Sequence, residues 1–114
     1  MIARTARTAR ALLVAALLLP HHLKAAPAAS QAAVTIDNFV FKTPSITVTA
    51  GTTITWTNRD DIPHTVTADD GPPPTYRSHP LGTGDHFSMS FDKPGTYHYF
   101  CSLPPKMRGT VIVR

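Results

Sequence analysis

The sequence predicts an all-β fold, a Greek-key β-sandwich, on three observations. From Val34 onward, short runs alternate apolar and polar residues with a period of two. Turn-forming Gly, Pro, Asn and Asp separate these runs, and no window carries an apolar helical period of useful length. About seven strands in roughly 85 residues fit one sandwich closed around a single core.

Each element has its own pattern. Val34 and Ile36 share one face of a first strand, and Phe39 and Phe41 continue the apolar pattern after Asp37 and Asn38. Ile46, Val48 and Ala50 alternate with threonines, Gly51 turns the chain, and Ile54 and Trp56 alternate with Thr53, Thr55 and Thr57. That reads as a hairpin with one buried and one solvated face. The run from Asn58 to Pro63 interrupts pairing, after which His64, Val66 and Ala68 fall on one face of the next strand. Residues 69–84 form the longest irregular stretch, in which Pro72, Pro73 and Pro74 exclude a central strand. Phe87, Met89 and Phe91 alternate with Ser88 and Ser90, Lys93-Pro94-Gly95 turns the chain, and Tyr97, Tyr99 and Cys101 share a face. The last strand carries Val111 and Val113 on one side and Ile112 on the other.

The N-terminus is not part of this domain. Arg4, Arg7 and Arg10 precede an apolar run, Ala11 to Leu19, that is too short to span a bilayer, and small residues follow it. Residues 1–28 therefore read as a secretory signal peptide, with cleavage after Ala28 or as late as Ala32, and residues 33–114 as the mature domain. This predicts a periplasmic or secreted protein with no stable membrane anchor. The net charge of +4 at pH 7 belongs to the leader. Lysines and arginines balance aspartates in the mature part, which leaves no electrostatic case for nucleic acid. Lys106 and Arg108 are a local basic pair, read either as partner docking or as ordinary solvated charge.

Cys101 is the only cysteine, so no internal disulfide can form and the thiol is either buried or ligated. It ends a strand, and Met107 follows six residues later. That arrangement presents two soft sulfur donors to one copper ion. His64, at the start of a strand after a turn, is placed to supply an imidazole. A mononuclear copper site of this kind takes two imidazoles beside the thiolate, yet the position between the sulfurs is Pro104, which has no side-chain donor. His98 points to the opposite face of its strand from Cys101, and His79 and His86 lie in or near the irregular stretch.

Two segments carry a family resemblance: Thr55 to Val66, containing Asn58 and Pro63-His64, and Pro94 to Cys101, continued through Met107-Arg108-Gly109. They are similar to the small bacterial cupredoxins of the amicyanin and plastocyanin type, and the resemblance covers essentially the whole mature chain. It implies a cupredoxin fold holding one copper ion, Cu+ or Cu2+, per chain. Its ligands would be His64, Cys101 and Met107. It further implies that Asn58 ties the two ligand loops together by hydrogen bonds toward Ser102, and that Pro104 stands where the family has its second histidine.

The leading expectation is thus an electron-transfer protein with an altered type 1 (blue) copper site. Such a protein would be a monomer that docks redox partners near the Cys101–Met107 loop, against the apolar surface of Leu103, Pro104 and Pro105. Two alternatives stand beside it: a copper(I)-binding buffer without electron transfer, and a metal-free sandwich acting as an interaction module. An enzyme is not expected. No carboxylate pair or nucleophile with a neighbouring base stands out, and Asp60, Asp61, Asp69 and Asp70 read as loop residues.

Overall fold

The computed structural model describes residues 29–114 without a break, and residues 2, 3, 11 and 14–16 before them. Apart from those few positions, the expected leader lies outside the described residues. Among the described residues no helix is long and apolar enough to cross a membrane. Eight strands form the domain: β1 (Gln31–Asp37), β2 (Val40–Lys42), β3 (Ser45–Val48), β4 (Thr52–Asn58), β5 (Thr67–Ala68), β6 (His86–Phe91), β7 (Gly95–Phe100) and β8 (Arg108–Val113). β1 starts at Gln31, ahead of the domain start expected at residue 33.

The strands make two four-stranded sheets, ordered β2-β1-β4-β6 and β3-β8-β7-β5. β1 with β4 and β3 with β8 are parallel, and the remaining pairs are antiparallel. Val34, Ile36, Ile54 and Trp56 enter the core from the first sheet, and Tyr97, Tyr99, Val111 and Val113 from the second. These are the alternate positions that the sequence assigns to one face of each strand. On the outer face of β4 and β6, Thr53 pairs with Ser90 and Thr55 with Ser88, each at 2.7 Å between hydroxyl oxygens.

The expected β3–β4 hairpin is not formed. β3 pairs with β8 and β4 with β1 and β6, so the two strands lie in opposite sheets. The turn between them bridges the layers: the Ala50 amide donates to the Arg114 carbonyl at 2.9 Å and the Gly51 amide to the Phe91 carbonyl at 2.7 Å. Gly51, at φ +89°, makes that corner possible. Alternation specifies which face of each strand is buried, and a core between two sheets satisfies it as well as a shared ladder does.

The strand expected from His64 to Ala68 is shorter, with only Thr67 and Ala68 in β5. His64 and Thr67 make isolated bridges to Leu81 and Arg77. Pro80 lies inside that opposing run and has no amide to donate, which breaks the ladder. The β1–β2 turn separates what the sequence reads as one apolar pattern, so eight strands appear where about seven are expected.

The core is aromatic. Trp56 packs edge-on to Tyr99 with centroids 5.3 Å apart, and Phe41 meets Tyr99 at 4.7 Å. Tyr99 lies opposite Gly109 in the β7–β8 register. A Cβ at Gly109 would fall inside the Tyr99 ring, so only glycine fits there. Three buried polar atoms have no hydrogen-bond partner among the described residues: Trp56 Nε1 and the hydroxyls of Tyr76 and Tyr99. Burial pushes the Tyr99 phenol up to about 12 and that of Tyr76 further, so both stay neutral.

Two stability changes follow. Gly109→Ala should lower the unfolding free energy by about 1–3 kcal/mol through overpacking against Tyr99, read as a shift of the urea midpoint at constant slope. Tyr76→Phe removes an unpartnered buried hydroxyl and should be neutral or stabilising by up to about 1 kcal/mol.

Candidate metal centre

One end of the sandwich collects the residues that matter. β4 ends at Asn58, β7 ends just before Cys101, β8 begins just after Met107, and the 59–66 connection crosses between the sheets. The Cys101 amide donates to the Met107 carbonyl at 2.9 Å, which closes the intervening loop at its neck. Cys101 and His64 are fully buried and Met107 nearly so, while Pro104, Pro105 and Lys106 are exposed.

His64 Nδ1 lies 3.7 Å from Cys101 Sγ. With metal–sulfur and metal–nitrogen bonds of about 2.3 and 2.0 Å, two donors on one tetrahedral or trigonal ion stand about 3.5–3.8 Å apart. The spacing between the two side chains therefore fits a shared metal. The sulfur also accepts the Thr65 amide at 3.3 Å and has the Leu103 carbonyl at 3.4 Å. Among the described residues no group of three or more His, Cys, Asp or Glu forms a metal cage, and Met107, nearly buried, is the other sulfur residue at this loop. The set of imidazole, thiolate and thioether suits copper, which accepts soft sulfur and imidazole together.

His64 is held from its other side. Its Nε2 lies 2.8 Å from Asp60 Oδ2. The Asp60 carboxylate also accepts the Asn38 amide at 2.6 Å and the Phe39 amide at 3.0 Å. Those two residues form the β1–β2 turn, both with positive φ, 52° and 60°. Asparagine takes that conformation readily and phenylalanine rarely does, so the two bonds to Asp60 hold a strained turn in place. The Phe39 ring meets the His64 ring edge-on at 6.0 Å. Burial alone pushes the Asp60 carboxyl up, but the bonds from the Phe39 amide, the His64 ring and the Asn38 amide outweigh it and hold it below the usual carboxylate range.

The sequence reading placed Asp60 among ordinary loop aspartates, and the structure corrects that. A carboxylate four residues before a buried histidine, with two extra backbone donors to satisfy it, is a site residue. Its sequence signal is the spacing Asp60 to His64 across Pro63; the donors come from a turn more than twenty residues away, which no local pattern reveals.

Asn58 and Ser102 also differ from expectation. The Asn58 amide is fully buried, but it donates to the carbonyls of Ile62 and Leu81, at 2.9 and 2.8 Å, and its oxygen accepts the Asp60 amide at 2.9 Å. It braces the loop carrying Asp60 and His64 and does not reach Ser102. Ser102 is held by Thr65, whose hydroxyl accepts the Ser102 amide at 2.8 Å and pairs with the Ser102 hydroxyl at 2.8 Å. Thr65 is thus the residue that joins the two loops. Alternation alone would place it on the opposite face from His64, but the 101–105 loop covers that face and buries it.

Among the described residues the other histidines stay outside. His98 is exposed and its Nδ1 pairs with the Thr110 hydroxyl at 3.1 Å; His79 and His86 are exposed. Arg108 forms a surface ion pair with Asp69 at 3.1 Å, and Lys106 is solvated.

Comparison with known proteins agrees with the fold. Residues 9–113 match the family of the cupredoxin-like domain, and this chain belongs to that family. Amicyanin-alpha of Methylorubrum extorquens is 38% identical over 77% of this chain and 75% of its own length. The structure of an amicyanin point mutant in its oxidised state superposes with a TM-score of 0.68 and 30% identity, covering 77% of this chain and 95% of that one. A copper-containing nitrite reductase from Thermus scotoductus matches with a TM-score of 0.69 and 26% identity over 74% of this chain, which accounts for 22% of that larger protein. Cupredoxin homologues bind one copper per chain.

Two consequences can be measured. Asn58→Ala leaves the Ile62 carbonyl and the Asp60 amide unpartnered, and leaves the Leu81 carbonyl with the His64 amide alone, so it should destabilise the domain by on the order of 2–3 kcal/mol in urea unfolding. Because the folded Asp60 carboxyl is held below its unfolded value, its contribution is complete above about pH 4 and fades as pH falls through the lowered folded value. Acid unfolding followed by Trp56 emission should therefore lose part of its pH dependence below about pH 4 in Asp60→Asn.

Proposed function

We propose that this chain is an exported electron-transfer protein with a type 1 copper site altered by the loss of one imidazole. The observation that carries the reading is the 3.7 Å separation of His64 Nδ1 and Cys101 Sγ, both buried, in a loop that the Met107 carbonyl closes onto the Cys101 amide. When bound, copper supplies a one-electron couple. The protein's part is to hold unlike donors in a fixed frame, so that little has to move when the oxidation state changes.

Each residue has a task in that frame. Cys101 supplies the thiolate, and the Thr65 amide donates to its sulfur. His64 supplies the only protein imidazole. Met107 supplies a weak thioether. Pro104 fills the family's second histidine position without a donor, and because it is exposed it leaves the fourth place to water or a small anion. Leu103, Pro104 and Pro105 offer the apolar contact for a redox partner, and the domain acts as a monomer. Export follows from the N-terminal pattern and gives a periplasmic or secreted location. The pairing of Gln31 with Thr53 and Ala32 with Ile54 supports cleavage after Ala28, since cleavage after Ala32 would remove part of β1.

The exposed, donor-less Pro104 favours one second reading, a copper(I) buffer, because three donors that include two sulfurs suit the low coordination of Cu(I). A carrier cycles reversibly at one potential; a buffer holds Cu(I) and resists oxidation in place.

The test is a Cu(II) titration of the exported domain followed by visible absorption and metal analysis. The expected result is an intense thiolate-to-copper band that rises to one equivalent. A folded protein that shows no band and retains no metal would leave only the metal-free interaction module. Cys101→Ala should abolish copper binding while the domain stays folded. Pro104→His should give a stronger and less solvent-accessible blue site.

A further inference from the structure

We propose that Asp60 is the positioning residue of this centre: its carboxylate holds His64 as the Nε2-protonated tautomer, which leaves the Nδ1 lone pair aimed at the space beside Cys101 Sγ. The role toward copper rests on the function proposed above, whereas the tautomer itself does not.

The argument starts from what each atom can do. An ionised carboxylate only accepts hydrogen bonds. Asp60 Oδ1 takes the Asn38 amide at 2.6 Å, and Oδ2 takes the Phe39 amide at 3.0 Å and faces His64 Nε2 at 2.8 Å. Two backbone donors anchor the carboxylate, so it cannot rotate away from the ring. The nitrogen facing it must carry the proton, because the other tautomer would set a nitrogen lone pair against a buried anion. Nδ1 is then the unprotonated nitrogen, 3.7 Å from Cys101 Sγ. A flip of the ring is opposed by the edge-on Phe39 ring and by complete burial of His64.

The consequence is a donor atom that is already in place before metal arrives. A neutral histidine in water exchanges its proton between the two nitrogens, and any metal that binds must select one form. Here the selection is made by folding. A carboxylate bonded to the far nitrogen of a metal-binding imidazole orients the ring and strengthens it as a ligand. In a site that has lost one imidazole at Pro104, a stronger remaining imidazole offsets part of that loss. Asp61, its neighbour in sequence, is exposed and has no such contact, so the two aspartates differ in role.

Long-range 1H–15N correlation NMR on the metal-free exported chain reads the tautomer directly. The expected wild-type result is protonated Nε2 and unprotonated Nδ1 on His64. Asp60→Asn places an amide donor against Nε2 and should invert the pattern, with Cu(I) affinity falling about 10–100-fold in a competition assay, as for other residues that orient metal-binding histidines. Asp61→Asn should change neither quantity. A protonated Nδ1 in the wild-type chain would overturn the proposal with no variant needed. So would an Asp60→Asn protein that keeps both the wild-type tautomer and copper affinity within about twofold, well short of the loss expected. If the tautomer is as proposed but the wild-type chain takes up no copper, the electron-carrier reading fails and the assignment of Asp60 stands.

Discussion

A single buried carboxylate holds the functional end of this domain together. Asp60 receives two amides from the β1–β2 turn and faces the imidazole of His64, so it joins a hairpin of the first sheet to a loop that crosses toward the second. Taking a charge out of water is expensive unless donors replace the lost hydration. Three donors do so here, which is why the carboxylate stays ionised inside the protein. They also explain why Phe39 is held with a left-handed backbone, a conformation that a bulky residue does not adopt unaided. Asn58 secures the same loop from beneath through the carbonyls of Ile62 and Leu81.

The sulfur side of the centre is built differently. Cys101 and Met107 are placed by the antiparallel β7–β8 pair, with the Cys101 amide and the Met107 carbonyl as its last connection. Tyr99 over Gly109 packs that pair into the core. None of these contacts involves the side chain at position 104. The domain therefore keeps its shape with proline there, and the exposed residue at position 104 is not a support of the fold. The two halves meet through Thr65, which donates to the sulfur and bonds both the amide and the hydroxyl of Ser102.

Much of this was legible in the sequence, and the limits have physical causes. Alternation identified the buried faces of the strands, including Tyr97, Tyr99 and Cys101, because a period of two depends only on backbone geometry. It misassigned the β3–β4 corner as a hairpin because a sandwich buries both strands equally well from opposite sheets. Spacing and family resemblance brought forward His64, Cys101 and Met107, because the turn before His64 and the six-residue step from Cys101 to Met107 are local features of the chain. Asp60 and Thr65 were missed because their importance comes from partners distant in sequence, namely the amides of Asn38 and Phe39 and the loop at Ser102. The expected bond from Asn58 to Ser102 failed for the same reason: Asn58 found two nearer carbonyls.

X-ray absorption at the copper edge, on the exported chain loaded with one equivalent, tests the central claim most directly. The account predicts one short copper–sulfur distance from Cys101, scattering from the single imidazole of His64, and a light-atom ligand in the place that Pro104 cannot fill. A shell made only of nitrogen and oxygen would mean that the metal sits on surface histidines, and would contradict a centre built from His64, Cys101 and Met107.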